Sequence, residues 1–156
     1  MLDWFRWIRR RLARFSHLPT RARADLIEAA ACLLLARLAQ RLMSFQQLTR
    51  LFGRPAVRAE VGGAEREQTR KGVQWAIEEA CWYLPGEMAC IPRALAAQTM
   101  LGRRGVVTTL YYGAAILPGR GLTAHVWLQD GKEGIVGHEI AQDYLVLACY
   151  PETNSM

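Results

Sequence analysis

No two of the chain's four cysteines, Cys32, Cys81, Cys90 and Cys149, are spaced CxxC. That leaves no zinc knuckle and no disulfide framework, so a reducing cytoplasm is the expected location. The N-terminus, MLDWFRWIRRRLARF, lacks the continuous apolar core and small-residue cleavage site of a secretory signal. The apolar run AAACLLLA at 29–36 is too short to cross a bilayer, and Asp25, Glu28, Arg37 and Arg41 bracket it. It reads as a buried helix. Internal repeats, low-complexity segments and a Gly-rich phosphate loop are all missing. Nor is there a helix-turn-helix signature or a stacking platform, so nucleic acid is not an expected partner.

What is present fits one domain. A chain of 156 residues can bury a proper core, and 51% hydrophobic content with 22% charged residues argues against disorder. The net charge is +6, carried by arginine far more than by lysine. An acidic or extended peptide would suit that charge. Trp4, Phe5, Ile8, Leu12 and Phe15 form one helical stripe with arginines opposite. Such a basic amphipathic helix either packs on its own domain or touches a membrane surface.

Pro19-Thr20 then opens a long helix to about Met43, with Thr20 as the expected N-cap. SFQQ at 44–47 matches a capping box, Ser44 to Gln47, and starts a short helix that Gly53-Arg54-Pro55 ends. Residues 54–63 read as a loop. From Ala64 to Leu84, Val73, Ile77, Ala80, Cys81 and Leu84 recur at helical spacing, and Pro85-Gly86 breaks that helix. After Gly105 the pattern changes. VVTTLYYGAAIL, LTAHVWLQ, GIVGHE and YLVLACY read as strands, with PGRG and Asp130-Gly131 as turns. Helices followed by antiparallel strands make an α+β domain. We divide it into a helical N-terminal region, 1–69, and a core, 70–156, within one continuous domain.

Chemistry concentrates on Cys90. Pro92 fits the first turn of a helix, where its missing N–H costs nothing. Cys90 therefore falls at or next to the N-cap of helix 90–104, where unpaired N–H groups and the dipole favour thiolate and could hold an oxyanion. A thiolate needs a proton acceptor, and His125, on a strand in AHVW opposite Val126 and Leu128, is the candidate. A third group should orient its ring. Hairpin arithmetic places residues 136 to 139 of the next strand beside it, with Glu139 at the edge of that window. Asp130, in the turn at the far end of the strand, is the alternative acid, and a backbone carbonyl is a third. Cys32, Cys81 and Cys149 read as inert core. The spacing of Cys90, His125 and His138 matches no compact metal motif, so neither metal nor cofactor is expected.

CIPRALAAQTMLGRRG, the TAHVW strand and the closing YLVLACYP, in this order over about residues 70 to 151, resemble the transglutaminase-like domain of lasso-peptide leader peptidases, the B proteins of lasso-peptide gene clusters. The helical first half resembles the N-terminal region of their stand-alone form. The resemblance implies a papain-like core in which a Cys-bearing helix packs on a small antiparallel sheet. It makes Cys90 the nucleophile and His125 the base of a cysteine protease that frees a core peptide from its leader for macrocyclisation. The family's usual third member is an Asp on the next strand; GIVGHE holds none, so Glu139 takes that place ahead of Asp130. Implied partners are the precursor peptide, a separate leader-recognition protein, an asparagine-synthetase-like cyclase, and a membrane surface contacted by the N-terminal helix. An acyl-transferring transglutaminase-like enzyme and a non-catalytic precursor-binding adaptor are the rival readings.

Overall fold

The structure is a computed structural model that describes residues 15–52 and 61–150. Four helices come first: α1 (Thr20–Leu42), α2 (Phe45–Phe52), α3 (Gly63–Tyr83) and α4 (Cys90–Arg103). Strands β1 (Thr109–Leu117), β2 (Gly121–Asp130) and β3 (Glu133–Val136) follow, then a 3-10 helix (His138–Asp143) and β4 (Leu145–Tyr150). The sheet is antiparallel, ordered β3-β2-β1-β4. This is the α+β architecture expected. The stripe from Trp4 to Leu12 and most of the 54–63 loop lie outside the described residues.

The helices and one sheet face share a single core. Leu26, Ala29, Leu33 and Ala36 of α1 meet Val73, Ile77 and Ala80 of α3 and Leu95, Ala96, Met100 and Leu101 of α4. Leu110, Val126 and Leu128 close it from the sheet. The small residues of α4 let it lie close to its neighbours, so the helix that begins at Cys90 is packed on helices and sheet at once. Helix α3 runs unbroken through positions 69 and 70.

Local signals mostly act as expected. The Ser44 N–H donates to Gln47 Oε1 at 2.9 Å, and the Gln47 N–H returns to Ser44 Oγ at 3.4 Å, the reciprocal pairing of a capping box. Thr20 does not cap α1. The N-cap is Pro19, without a side-chain hydrogen bond, and Thr20 is the first helical residue. Strand β1 starts at Thr109 rather than at Val106 because α4 closes in a Schellman turn. The Val106 N–H bonds the Leu101 carbonyl, the Gly105 N–H bonds that of Gly102, and Gly105 takes φ +76°. Val106 is thereby spent on the helix end.

Two ion-pair clusters lock the layers. Arg104, at the end of α4, bonds Asp25 at 2.8 Å and Glu28 at 2.5 Å on α1. Arg66 of α3 grips Asp130 of β2 through both carboxylate oxygens, at 2.6 and 2.8 Å, with Arg70 at 3.5 Å. Arg66 also donates to the Val107 carbonyl.

Candidate active site

Cys90 is the first residue of α4, after an N-cap, Ala89, that offers no side-chain hydrogen bond. An alanine cap leaves the first-turn amides unclaimed, so the N–H groups of Cys90 and Ile91 face outward from the helix start. Pro92 follows, buried, with no N–H to satisfy. Arg93 supplies the next amide, to the Ala89 carbonyl at 3.4 Å. The Cys90 side chain is half-buried at the rim of the core, reachable from solvent but bordered by apolar groups. Its placement combines a partly desolvated sulfur, a helix dipole and open amide donors.

His125 stands on β2, opposite Gly113 of β1. It alternates with the core residues Val126 and Leu128, so it shares a sheet face with Trp127. The two rings stack at 5.9 Å between centroids and 17° between planes, and the Tyr144 ring lies 5.1 Å away, tilted by 39°. Trp127 in turn stacks on Tyr111 and lies across Gly113, where an added Cβ would meet the indole at 2.9 Å. His125 is thus 9% exposed, with its ring packed against both aromatic rings.

The ring's one hydrogen bond fixes its chemistry. His125 Nε2 lies 2.7 Å from the Gly137 carbonyl oxygen. A carbonyl only accepts, so Nε2 carries the proton and Nδ1 is left as the basic nitrogen. Strand β3 stops at Val136, and Gly137 turns the chain at φ +70° into the 3-10 helix. A Cβ there would sit 3.1 Å from His125 Nε2 and 3.0 Å from the Val126 carbonyl. Glycine answers both the backbone angle and the crowding. No hydrogen bond joins the Cys90 sulfur to the imidazole in this structure. Catalytic hydrogen bonds of cysteine and histidine commonly tighten only once substrate is bound.

A half-buried thiol at a helix start and an imidazole fixed in one tautomer on the packed sheet are the residue types that cysteine acyl-transfer chemistry uses. The family model of the transglutaminase-like superfamily matches residues 30–149. The chain belongs to the transglutaminase-like superfamily. No curated protein and no solved structure matches it. The match begins within α1 and runs into β4, so residues 30–69 of the helical first half lie inside it. Membership suggests a cysteine protease or acyltransferase, an enzyme that forms a thioester on a cysteine.

Within this superfamily member the remaining candidates stand as follows. Glu139 lies in the first turn of the 3-10 helix, exposed, with no hydrogen bond or ion pair among the described residues. The structure gives Nε2 to Gly137 instead. Asp130 is buried and committed to Arg66 and Arg70, on the core side of β2 and five residues from His125. His138 accepts, through Nδ1, a hydrogen bond from Gln129 Nε2 at 2.8 Å and lies over Gly134, where a Cβ would collide with it. Among the described residues no three His, Cys, Asp or Glu side chains gather closely enough to hold a metal. Burial pushes the Cys32 and Cys81 thiols up from the ordinary range. No local sequence signal marks Tyr144, Trp127 or the Gly137 carbonyl as parts of the His125 setting. The residues GHE after GIV, expected to continue the strand, instead leave it, because the glycine at their head begins a turn.

Proposed function

We propose that this protein is a cysteine peptidase that removes the leader from a ribosomally made lasso precursor peptide. The observation that supports it best is the hydrogen bond from His125 Nε2 to the Gly137 carbonyl, which leaves Nδ1 free to receive a proton. Superfamily membership and the sequence resemblance supply the rest.

In this reading the bound precursor brings the leader–core carbonyl to Cys90 and closes the space to His125. The Cys90 sulfur attacks that carbonyl while its proton passes to His125 Nδ1. The oxyanion is held by the N–H groups at the start of α4. As the tetrahedral species collapses the C–N bond breaks, and the Nδ1 proton goes to the departing core amine. A leader thioester remains on Cys90. Water then attacks it, giving its proton to Nδ1, and the leader leaves with a free carboxylate as the thiol regains its proton. Gly137 orients the ring, in the place where the resemblance called for an acid and the sequence suggested Glu139. A carbonyl supports imidazolium through one hydrogen bond and without full charge, so orientation rather than ion pairing is its contribution. The leader-recognition protein would deliver the precursor, and the cyclase would take the freed amine.

The test is mass spectrometry of a lasso precursor peptide incubated with this protein and with a leader-recognition protein. Intact leader and core support the reading, and Cys90→Ala should abolish them. A cross-linked adduct would point to acyl transfer, and processing that survives Cys90→Ala would point to an adaptor.

A further inference from the structure

The cross-strand pairs that β1 and β2 share on their helix-bearing face change character along the hairpin. Leu110 opposite Leu128 and Tyr112 opposite Val126 belong to the core. Ala114 opposite Ala124 and Ile116 opposite Leu122 come next on the same face, because residues two apart on a strand share a side. Ile116 and Leu122 are 82 and 78% exposed, and Leu145 of β4, which pairs with Ala114, is 73% exposed. These side chains form an apolar shelf, and none of them carries a polar atom. A contiguous apolar patch of this kind marks a contact surface.

What covers the shelf follows from where it begins. Helix α4 passes into β1 through the Gly105 turn, so the strand runs back along the helix toward its start. The 14 residues of α4 measure about 21 Å. That equals about six residues of strand, which sets Cys90 level with Ala114 when counted from Thr108, where the chain has crossed to the sheet. Beyond that level α4 no longer lies on the sheet, and the shelf is the part it leaves bare. The same stretch adjoins His125: Ala124 precedes it directly, and Leu145 follows Tyr144, whose ring packs on the imidazole. A peptide whose carbonyl meets the Cys90 sulfur in front of the helix start must run out over this face, since the body of α4 and the helices beside it fill the other side. From Ala114 to the end of β1 at Leu117 the shelf is about 10 Å long, room for three residues of extended chain.

We infer that this shelf is a substrate subsite, and that it takes the apolar side chains of an extended peptide segment adjoining the bond that Cys90 cuts. The inference rests on the peptidase reading for the identity of its occupant. The bound segment lies across Ile116 and Leu122, and its apolar side chains leave water as they settle on the shelf. The shelf thereby selects for apolar residues beside the junction, and it contributes to binding rather than to the chemical step.

The probe is a fluorescent peptide spanning the leader–core junction of a lasso precursor. Its binding to the full chain carrying Cys90→Ala is read by anisotropy, and its cleavage by the protein with Cys90 intact is read by mass spectrometry. Ile116→Ser/Leu122→Ser should raise Kd and KM about tenfold or more, with kcat within about twofold and the melting temperature unchanged. Leu35→Ser/Leu38→Ser, at exposed apolar positions on α1, should leave Kd and KM as they were. Serine in place of the apolar peptide residues beside the junction should weaken binding to the unaltered shelf, and should add little to the loss in the shelf variant. Unchanged Kd and KM in the shelf variant would overturn the inference, while cleavage by the wild type would leave the peptidase reading standing. Shelf-dependent binding without cleavage would support the shelf as a peptide site and strike the peptidase reading alone. Absence of binding to the unaltered shelf would overturn the inference. So would a concentration-dependent dimer in sizing experiments that Ile116→Ser/Leu122→Ser dissolves, which would assign the shelf to a second copy of this chain.

Discussion

Replacing Gly137 by alanine should damage the site in a way a matched control does not. The new methyl group would stand 3.1 Å from His125 Nε2, 3.3 Å from Cε1 and 3.0 Å from the Val126 carbonyl, at φ +70°. The left-handed backbone costs a non-glycine residue about 1–2 kcal/mol. The carbonyl and the ring must also move by a few tenths of an ångström, so the total loss is about 2–3 kcal/mol. At about 2–4 °C per kcal/mol for a chain of this size, the melting temperature should fall by about 4–12 °C. Gly131 is the control: it has φ +61° and nothing within 4 Å of an added Cβ, so Gly131→Ala carries the backbone cost alone. Both variants should melt early, but Gly137→Ala alone should slow precursor cleavage, by about tenfold or more, because it displaces the imidazole. Thermal unfolding and a cleavage time course on both proteins give the answer. Equal activity in the two would refute the orienting role of Gly137.

Three other outcomes follow from the packing. Asp130→Asn removes the carboxylate from between Arg66 and Arg70 and should cost about 2–3 kcal/mol in denaturant unfolding, discounted from the fully buried case because Arg66 is partly exposed. The folded fraction should keep its cleavage rate. Glu139→Gln, at an exposed side chain without partners, should change neither melting temperature nor cleavage rate beyond error. Cys32 and Cys81, whose thiols burial pushes up, stabilise the fold fully below the ordinary thiol range. That contribution fades as pH rises through their folded values, since the unfolded thiols ionise first. Unfolding free energy should therefore drop above about pH 8.5, and less steeply in a Cys32→Ala/Cys81→Ala protein.

The legible parts of this molecule were those written in adjacent residues. Ser44 and Gln47 announce a helix start three residues apart, and Pro92 fixes the beginning of α4 within a residue or two. The alternation of HVWL places His125 on one strand face and Val126 and Leu128 on the other. The illegible parts depend on partners distant in sequence or on groups every residue has. Asp130 could be taken for a catalytic acid because Arg66, 64 residues earlier, is what claims it. The acceptor for His125 is a main-chain carbonyl, which no side chain signals. GIVGHE has the composition of a strand, and its second glycine gives no local hint of a positive φ. Tyr144 precedes β4 and joins the site only because the 3-10 helix returns the chain to His125.

The most direct measurement of the proposed pairing is site-resolved alkylation. The native protein is treated briefly with iodoacetamide at neutral pH, and labelling of each cysteine is read by peptide mass spectrometry in wild type and in His125→Ala. Cys90 should label first in the wild type, ahead of Cys81 and Cys32, and the histidine substitution should slow it about tenfold or more while the others keep their rates. Equal rates at Cys90 in the two proteins, or a Cys90 no faster than the buried thiols, would contradict the account.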